Sequence, residues 1–185
     1  MMESSELFDL AKAWLALSIA FAILLSTAVE DYPMNFIIAL FTVGTGFVFH
    51  ELAHKLTAQR FGVAAAFKSF DHMLALAILM SFAGFILAAP GAVMIEGGVG
   101  RRENGIISSA GIAANIVAAT FFLILSTLTT EGIVNAIGSY GLLINSWLAL
   151  FNLIPFGGFD GRKVFEWNRI VYVLLALGGL TLLLS

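Results

Sequence analysis

The chain has 185 residues, of which 60% are hydrophobic and only 11% charged, with a formal net charge of −3. A soluble domain is nearer about half apolar and about a quarter charged, so the composition predicts a polytopic membrane protein, read as a single domain over 1–185, and the acidic balance argues against a nucleic-acid partner. There is no cysteine, which excludes disulfides, thiolate zinc sites and thiol catalysis.

The first residues, Met1 to Glu6, are acidic and unlike the basic leader of a cleaved signal peptide. The run 10–29 is apolar and long enough to cross about 30 Å of hydrocarbon. Trp14 lies near one end, where an interfacial ring is expected. Glu30 to Pro33 reads as a polar turn, and 35–56 as a second span. Its middle, Thr42 to Gly46, is small enough for a neighbouring helix to approach closely. Near its end stands His50-Glu51-Leu52-Ala53-His54. On a helix the two histidines are one turn apart on one face and can grip one Zn²⁺. Glu51 follows the first of them, where a general base for metal-activated water sits. Two of the three histidines in the chain are in this motif.

The next stretch, 63–100, is less regular. Its apolar run 74–89 is short of the about 20 residues that a spanning helix needs, contains Gly84 and runs into Pro90-Gly91. Residues 92–98 read as a short β-like run closed by Gly97-Gly98. Arg101 to Gly105 reads as a charged turn. Three further spans follow at 106–128, 137–155 and 164–184, the last with Trp167 and Arg169 as interface anchors.

Whether 74–89 crosses decides between five and six spans. With five, and the N-terminus inside, all nine Lys and Arg fall on the inner side, and only Glu30, Asp31 and Glu131 mark the outer. With six, the bases split between the two sides. The positive-inside rule therefore favours five. Zinc chemistry points the same way from different residues. A zinc site needs at least a third protein ligand, and Asp160, in a Gly-rich turn after the fourth span, is the best carboxylate for it. Five spans bring Asp160 to the depth of His50 and His54, whereas six put it at the opposite face. The expected fold is thus an all-α polytopic membrane protein with about five spanning helices, a re-entrant, partly β unit at 63–100, and a metal site between spans two and four. The re-entrant unit either offers an open edge to which an unwound peptide adds as a strand, or plugs the bundle.

His50-Glu51-Leu52-Ala53-His54 and Asn152-Leu153-Ile154-Pro155 followed by Asp160-Gly161, each at the end of its own span, resemble the site-2 protease family of intramembrane zinc metalloproteases. A third segment, Ser109-Ala110-Gly111 with Asn115, is similar to that family's small-residue and Asn motif, although Ile112 stands where the family commonly has Pro. The resemblance covers roughly 35–163 and implies a prokaryotic or archaeal type without a PDZ or CBS domain. It implies one Zn²⁺ per chain held by His50, His54 and Asp160, with Glu51 as general base and later proton donor. It implies that Asn152 orients the scissile peptide or stabilises its oxyanion; the residues alone also allow Asn152 to cap the helix end before Pro155. The implied substrates are transmembrane proteins, cleaved inside the bilayer near the cytosolic side. The implied location is a multi-pass protein of the cell membrane with a cytoplasmic N-terminus. Two other classes fit the residues less well. A zinc transporter would be expected to show internal repeats, and a non-catalytic scaffold has no use for Glu51.

Overall fold

A computed structural model describes residues 4–86 and 89–185. Helix α1 (Ser4–Leu25) starts before the predicted apolar run. The reason is that Glu6 and Asp9 do not face lipid. Glu6 is buried, and both acids are spent on a strand described below.

After a short turn, Val29–Arg60 forms one 32-residue rod. It comprises α2 (Tyr32–Ala39), a π turn (Leu40–Gly44) and α3 (Thr45–Arg60). Pro33 sits in its first turn, where a missing N–H costs nothing. At the π turn, Trp14 Nε1 donates to the Leu40 carbonyl at 3.1 Å. Trp14 is therefore a contact between helices. A widened turn loosens the backbone ladder, and a part-buried indole N–H needs an acceptor.

The region predicted to be re-entrant is a strand, helix and strand: β1 (Ala64–Ser69), α4 (Asp71–Ser81) and β2 (Gly91–Glu96). The strands pair antiparallel, with Ala64 opposite Glu96 and Ser69 opposite Gly91. The chain that leaves at Ser69 thus comes back beside it at Gly91. Helix α4 has 11 residues, or about 16 Å, about half of what a crossing needs. Leu87 and Ala88, in the predicted 74–89 run, lie outside the described residues. The β-like run predicted at 92–98 is β2, but β1 was not foreseen. Ala64-Ala65-Ala66 is a poor strand former on its own, and the strand is held from outside. Glu6 Oε1 accepts from Phe67 N at 3.0 Å, Asp9 Oδ2 accepts from Ser69 N at 3.3 Å, and Asp9 Oδ1 accepts from Ser69 Oγ at 3.0 Å.

Four helices complete the chain: α5 (Arg101–Leu128), α6 (Gly132–Asn152), α7 (Asp160–Trp167) and α8 (Arg169–Leu183). Three boundaries differ from expectation. Arg101 to Gly105 is not a turn but the start of α5, with Glu103 in the first turn where a carboxylate favours the helix. Helix α6 begins earlier and ends at Asn152, because Pro155 disfavours helical backbone just before it. The predicted span 164–184 is two helices broken at Asn168, whose side-chain oxygen caps α8 by accepting from Ile170 N and Val171 N. Among the described residues, four helices are long and apolar enough to cross a membrane: Ser4–Leu25, Val29–Arg60, Arg101–Leu128 and Gly132–Asn152. Helix α8, with 15 residues, measures about 22 Å. The central helix is α5, which packs on α3, α6, α7 and α8. Ile112, at the position where the resembled family has Pro, is fully buried and joins Ala149, Leu153 and Val164 in a core cluster.

Candidate metal centre

Helix α3 presents His50 and His54 on one face, toward α5. Gly111 of α5 lies directly opposite, and a Cβ there would overlap the ring of His54. This is why a glycine is needed at that point of the helix. Asp160 arrives from the other direction. Helix α6 stops at Asn152, and Tyr172 Oη donates to the Leu153 carbonyl at 2.9 Å, pinning the turn. Asp160 then opens α7 and points back at α3.

The three side chains converge. Asp160 Oδ2 is 3.3 Å from His50 Nε2 and 2.9 Å from His54 Nε2, and the two Nε2 atoms are 2.9 Å apart. All three residues are buried. The far ring nitrogens show what these atoms are. His54 Nδ1 lies 2.8 Å from the Ile107 carbonyl, which can only accept. His50 Nδ1 lies 2.7 Å from Asn115 Oδ1, also an acceptor, while the Asn115 amide nitrogen donates to the Gly46 carbonyl at 3.2 Å. Each neutral imidazole therefore carries its proton on Nδ1 and turns a lone pair inward. Two such lone pairs and a carboxylate oxygen repel one another at these distances unless a cation lies among them. Two imidazoles and one carboxylate are a donor set that suits zinc. The other carboxylate oxygen, Asp160 Oδ1, accepts from Lys163 Nζ at 3.2 Å.

Glu51 is buried beside His50 and faces the backbone N–H of Val93 on β2. This follows from the strand register. Phe67 and Ser69 turn their N–H groups to α1, so their partners Val93 and Gly91 turn theirs to the free edge of β2. A cavity of about 830 Å³ joins the parts. One wall carries His50, Glu51, His54, Asn152, Asp160 and Lys163, and the other carries Gly91, Val93 and Ile95.

Sequence comparison agrees with this geometry. A protein of Methanocaldococcus jannaschii named "Putative zinc metalloprotease MJ0611" is 35% identical over 179 residues, which cover 93% of this chain and 89% of that protein. The chain belongs to that zinc metalloprotease family. No protein-family model and no solved structure matches the chain significantly.

All five residues singled out in the sequence thus line one cavity of this metalloprotease-family chain. Asn152 lies at its wall, with its amide nitrogen donating to the Leu148 carbonyl of its own helix at 2.9 Å. This contact is the local, helix-end one that the residues alone allow. His72, the third histidine of the chain, is exposed on α4 and stacks near Phe70. Three contributors were missed. Lys163 had a signal, a base three residues after Asp160 on a helix. Lys55 had a weaker one: it is buried and pairs with Glu6 at 2.5 Å, one residue beyond His54. The Ile107 carbonyl had none, because a backbone acceptor leaves no mark in sequence.

Proposed function

We propose that this protein is an intramembrane zinc endopeptidase of the site-2 protease type, with one Zn²⁺ per chain held by His50, His54 and Asp160. The observation that carries the reading is the convergence of three buried acceptor atoms next to Glu51, in a cavity walled on its far side by a strand edge. Zinc, when bound, polarises a peptide carbonyl and acidifies a water ligand. Glu51 takes the proton of the attacking water and returns it to the leaving amine. Lys163 holds Asp160 by one oxygen and keeps the other for the metal. Asn152 donates to the oxyanion as it forms, once its amide leaves the helix carbonyl it holds at rest.

The substrate class is transmembrane protein segments. A helical peptide bond is shielded by its own hydrogen bonds, so the substrate must unwind and needs replacement partners. The outward backbone groups of Gly91, Val93 and Ile95 supply them by strand addition. The orientation follows charge: N-terminus and active site on the cytoplasmic side of the cell membrane, where all the Lys and Arg then lie. The re-entrant reading of 63–100 is supported by the return of the chain at Gly91 beside Ser69. A fifth crossing would be made by α8 with the segment before it.

The deciding experiment compares wild type with Glu51→Gln in detergent, reading bound zinc and cleavage of a single-span substrate. The expected result is equal zinc in both and a loss of cleavage of about 10²-fold to 10⁴-fold in the variant. Equal cleavage by both proteins would sink the proposal.

A further inference from the structure

Outside the ligands, the buried amides of the bundle form a directed chain. Asn145 on α6 and Asn115 on α5 are both fully buried. The Asn145 amide nitrogen donates to the Gly141 carbonyl at 2.9 Å, and Asn145 Oδ1 accepts from Asn115 Nδ2 at 3.2 Å. Asn115 Nδ2 also donates to the Gly46 carbonyl, and Asn115 Oδ1 faces His50 Nδ1. An isolated amide can be turned either way with little to choose between its ends. Here two helix carbonyls remove the choice, because a carbonyl only accepts. Gly141 fixes Asn145, and Asn145 with Gly46 fixes Asn115. The position is built for this: a Cβ at residue 46 would overlap Asn145 Oδ1, and Gly46 lies one turn before His50 on α3.

We propose that Asn145 is a positioning residue for the metal centre, acting through Asn115 to keep the His50 proton on Nδ1 and its Nε2 lone pair toward His54 and Asp160. The inference rests on the reading of His50 as a zinc ligand and deepens it. Without Asn145, one N–H of Asn115 is left against apolar surroundings. The amide is then fixed by the Gly46 carbonyl alone, its preference for this orientation weakens, and the share that turns offers its NH₂ to His50 Nδ1. That favours the other tautomer, with a proton on Nε2 where the metal must bind. Among the described residues His54 has no such relay, and its Nδ1 leans on the Ile107 carbonyl.

That difference supplies an internal control. The test uses full-length protein labelled with ¹⁵N-histidine, stripped of zinc in detergent, with nitrogen NMR reporting which ring atom carries the proton. Zinc affinity is read in parallel by chelator competition. In wild type both His50 and His54 should carry the proton on Nδ1. In Asn145→Leu, His50 should become a mixture, His54 should stay as it was, and zinc affinity should fall roughly tenfold. If the leucine variant does not fold, Asn145→Ala, which leaves space and adds no bulk, carries the same expectation. Unchanged His50 signals and zinc affinity would overturn the proposal, as would equal disturbance of both histidines, which signals general loosening. A wild type that binds no zinc would instead remove the proposed function, while the metal-free tautomers still decide the relay.

Discussion

The two walls of the cavity are built differently. On the side of α3, α5, α6 and α7, the outward atoms of the three side chains (Nδ1 of His50, Nδ1 of His54 and Oδ1 of Asp160) each have a named partner, and the three residues are buried. On the side of the hairpin unit, β1 alternates exposed and buried residues, whereas no residue of β2 is buried. Helix α4 leaves Leu76, Leu79 and the neighbouring Phe82 exposed. The first wall is over-determined, as a site that must hold ligand geometry has to be. The second is seated mainly from one edge, by two carboxylates of α1, and its other edge faces the cavity. Under the proposed function, precision of the metal site and access for a peptide fall to separate parts of the chain.

The comparison is broken most severely from the rigid wall. Asp160→Ala should weaken zinc retention by more than the roughly 100-fold that loss of an outer partner of a metal ligand can cost. It should leave hairpin amide exchange unchanged. Wild-type zinc affinity by chelator competition would remove Asp160 from the ligand set. The joint between the walls comes next. Lys55→Met leaves Glu6 buried without its partner, at a cost of about 3–5 kcal/mol. The thermal midpoint in detergent should fall, and Lys55→Met with Glu6→Gln should recover part of the loss. A single variant as stable as wild type would show that the pair is not buried in solution.

The free edge itself is tested more gently. Ile95→Pro removes one outward N–H that Glu51 does not face and leaves the β1–β2 ladder intact, so zinc should stay. Cleavage should drop about fivefold, the equivalent of one backbone hydrogen bond of about 1 kcal/mol. An unchanged rate would argue against strand addition at this edge. The smallest effect is expected at the hairpin's surface. Lys12 Nζ pairs with Asp71 at 2.5 Å, and that hydrogen bond holds the exposed Asp71 carboxyl below its usual value. A lowered carboxyl contributes above its unfolded value of 3.8 and loses the contribution as pH falls through the lowered one. Asp71→Asn should therefore speed amide exchange in β1 slightly at neutral pH and make no difference in strong acid. A difference that persists in acid would mean the pair is not responsible.

What was legible in the sequence follows the same division. His50, Glu51 and His54 were readable because helical spacing alone puts both imidazoles on one face. Asp160 was readable because a carboxylate in a Gly-rich turn beside an apolar span needs a partner. Asn145 was not, since one amide in a membrane helix has many bland explanations and its partners lie on two other helices. Strand β1 was hidden because what makes it a strand is Glu6 and Asp9, about sixty residues upstream. The break at Asn168 was hidden for a simpler reason: a single capping residue between Trp167 and Arg169 interrupts hydropathy too briefly to register.

The π turn at Leu40–Gly44 bears on how this chain can vary. A helix advances about 100° per residue, so the extra residue held in that turn sets the rotational phase of everything after it. His50 and His54 face α5, and Glu51 faces β2, because of that count. A side chain on the turn's exposed face, Phe41, can change with little effect on where the motif points, whereas a Cβ at Gly44 would overlap Trp14. The length of the turn cannot change: one residue fewer would swing both histidines off Gly111 and toward lipid, and no substitution elsewhere in the rod would turn them back.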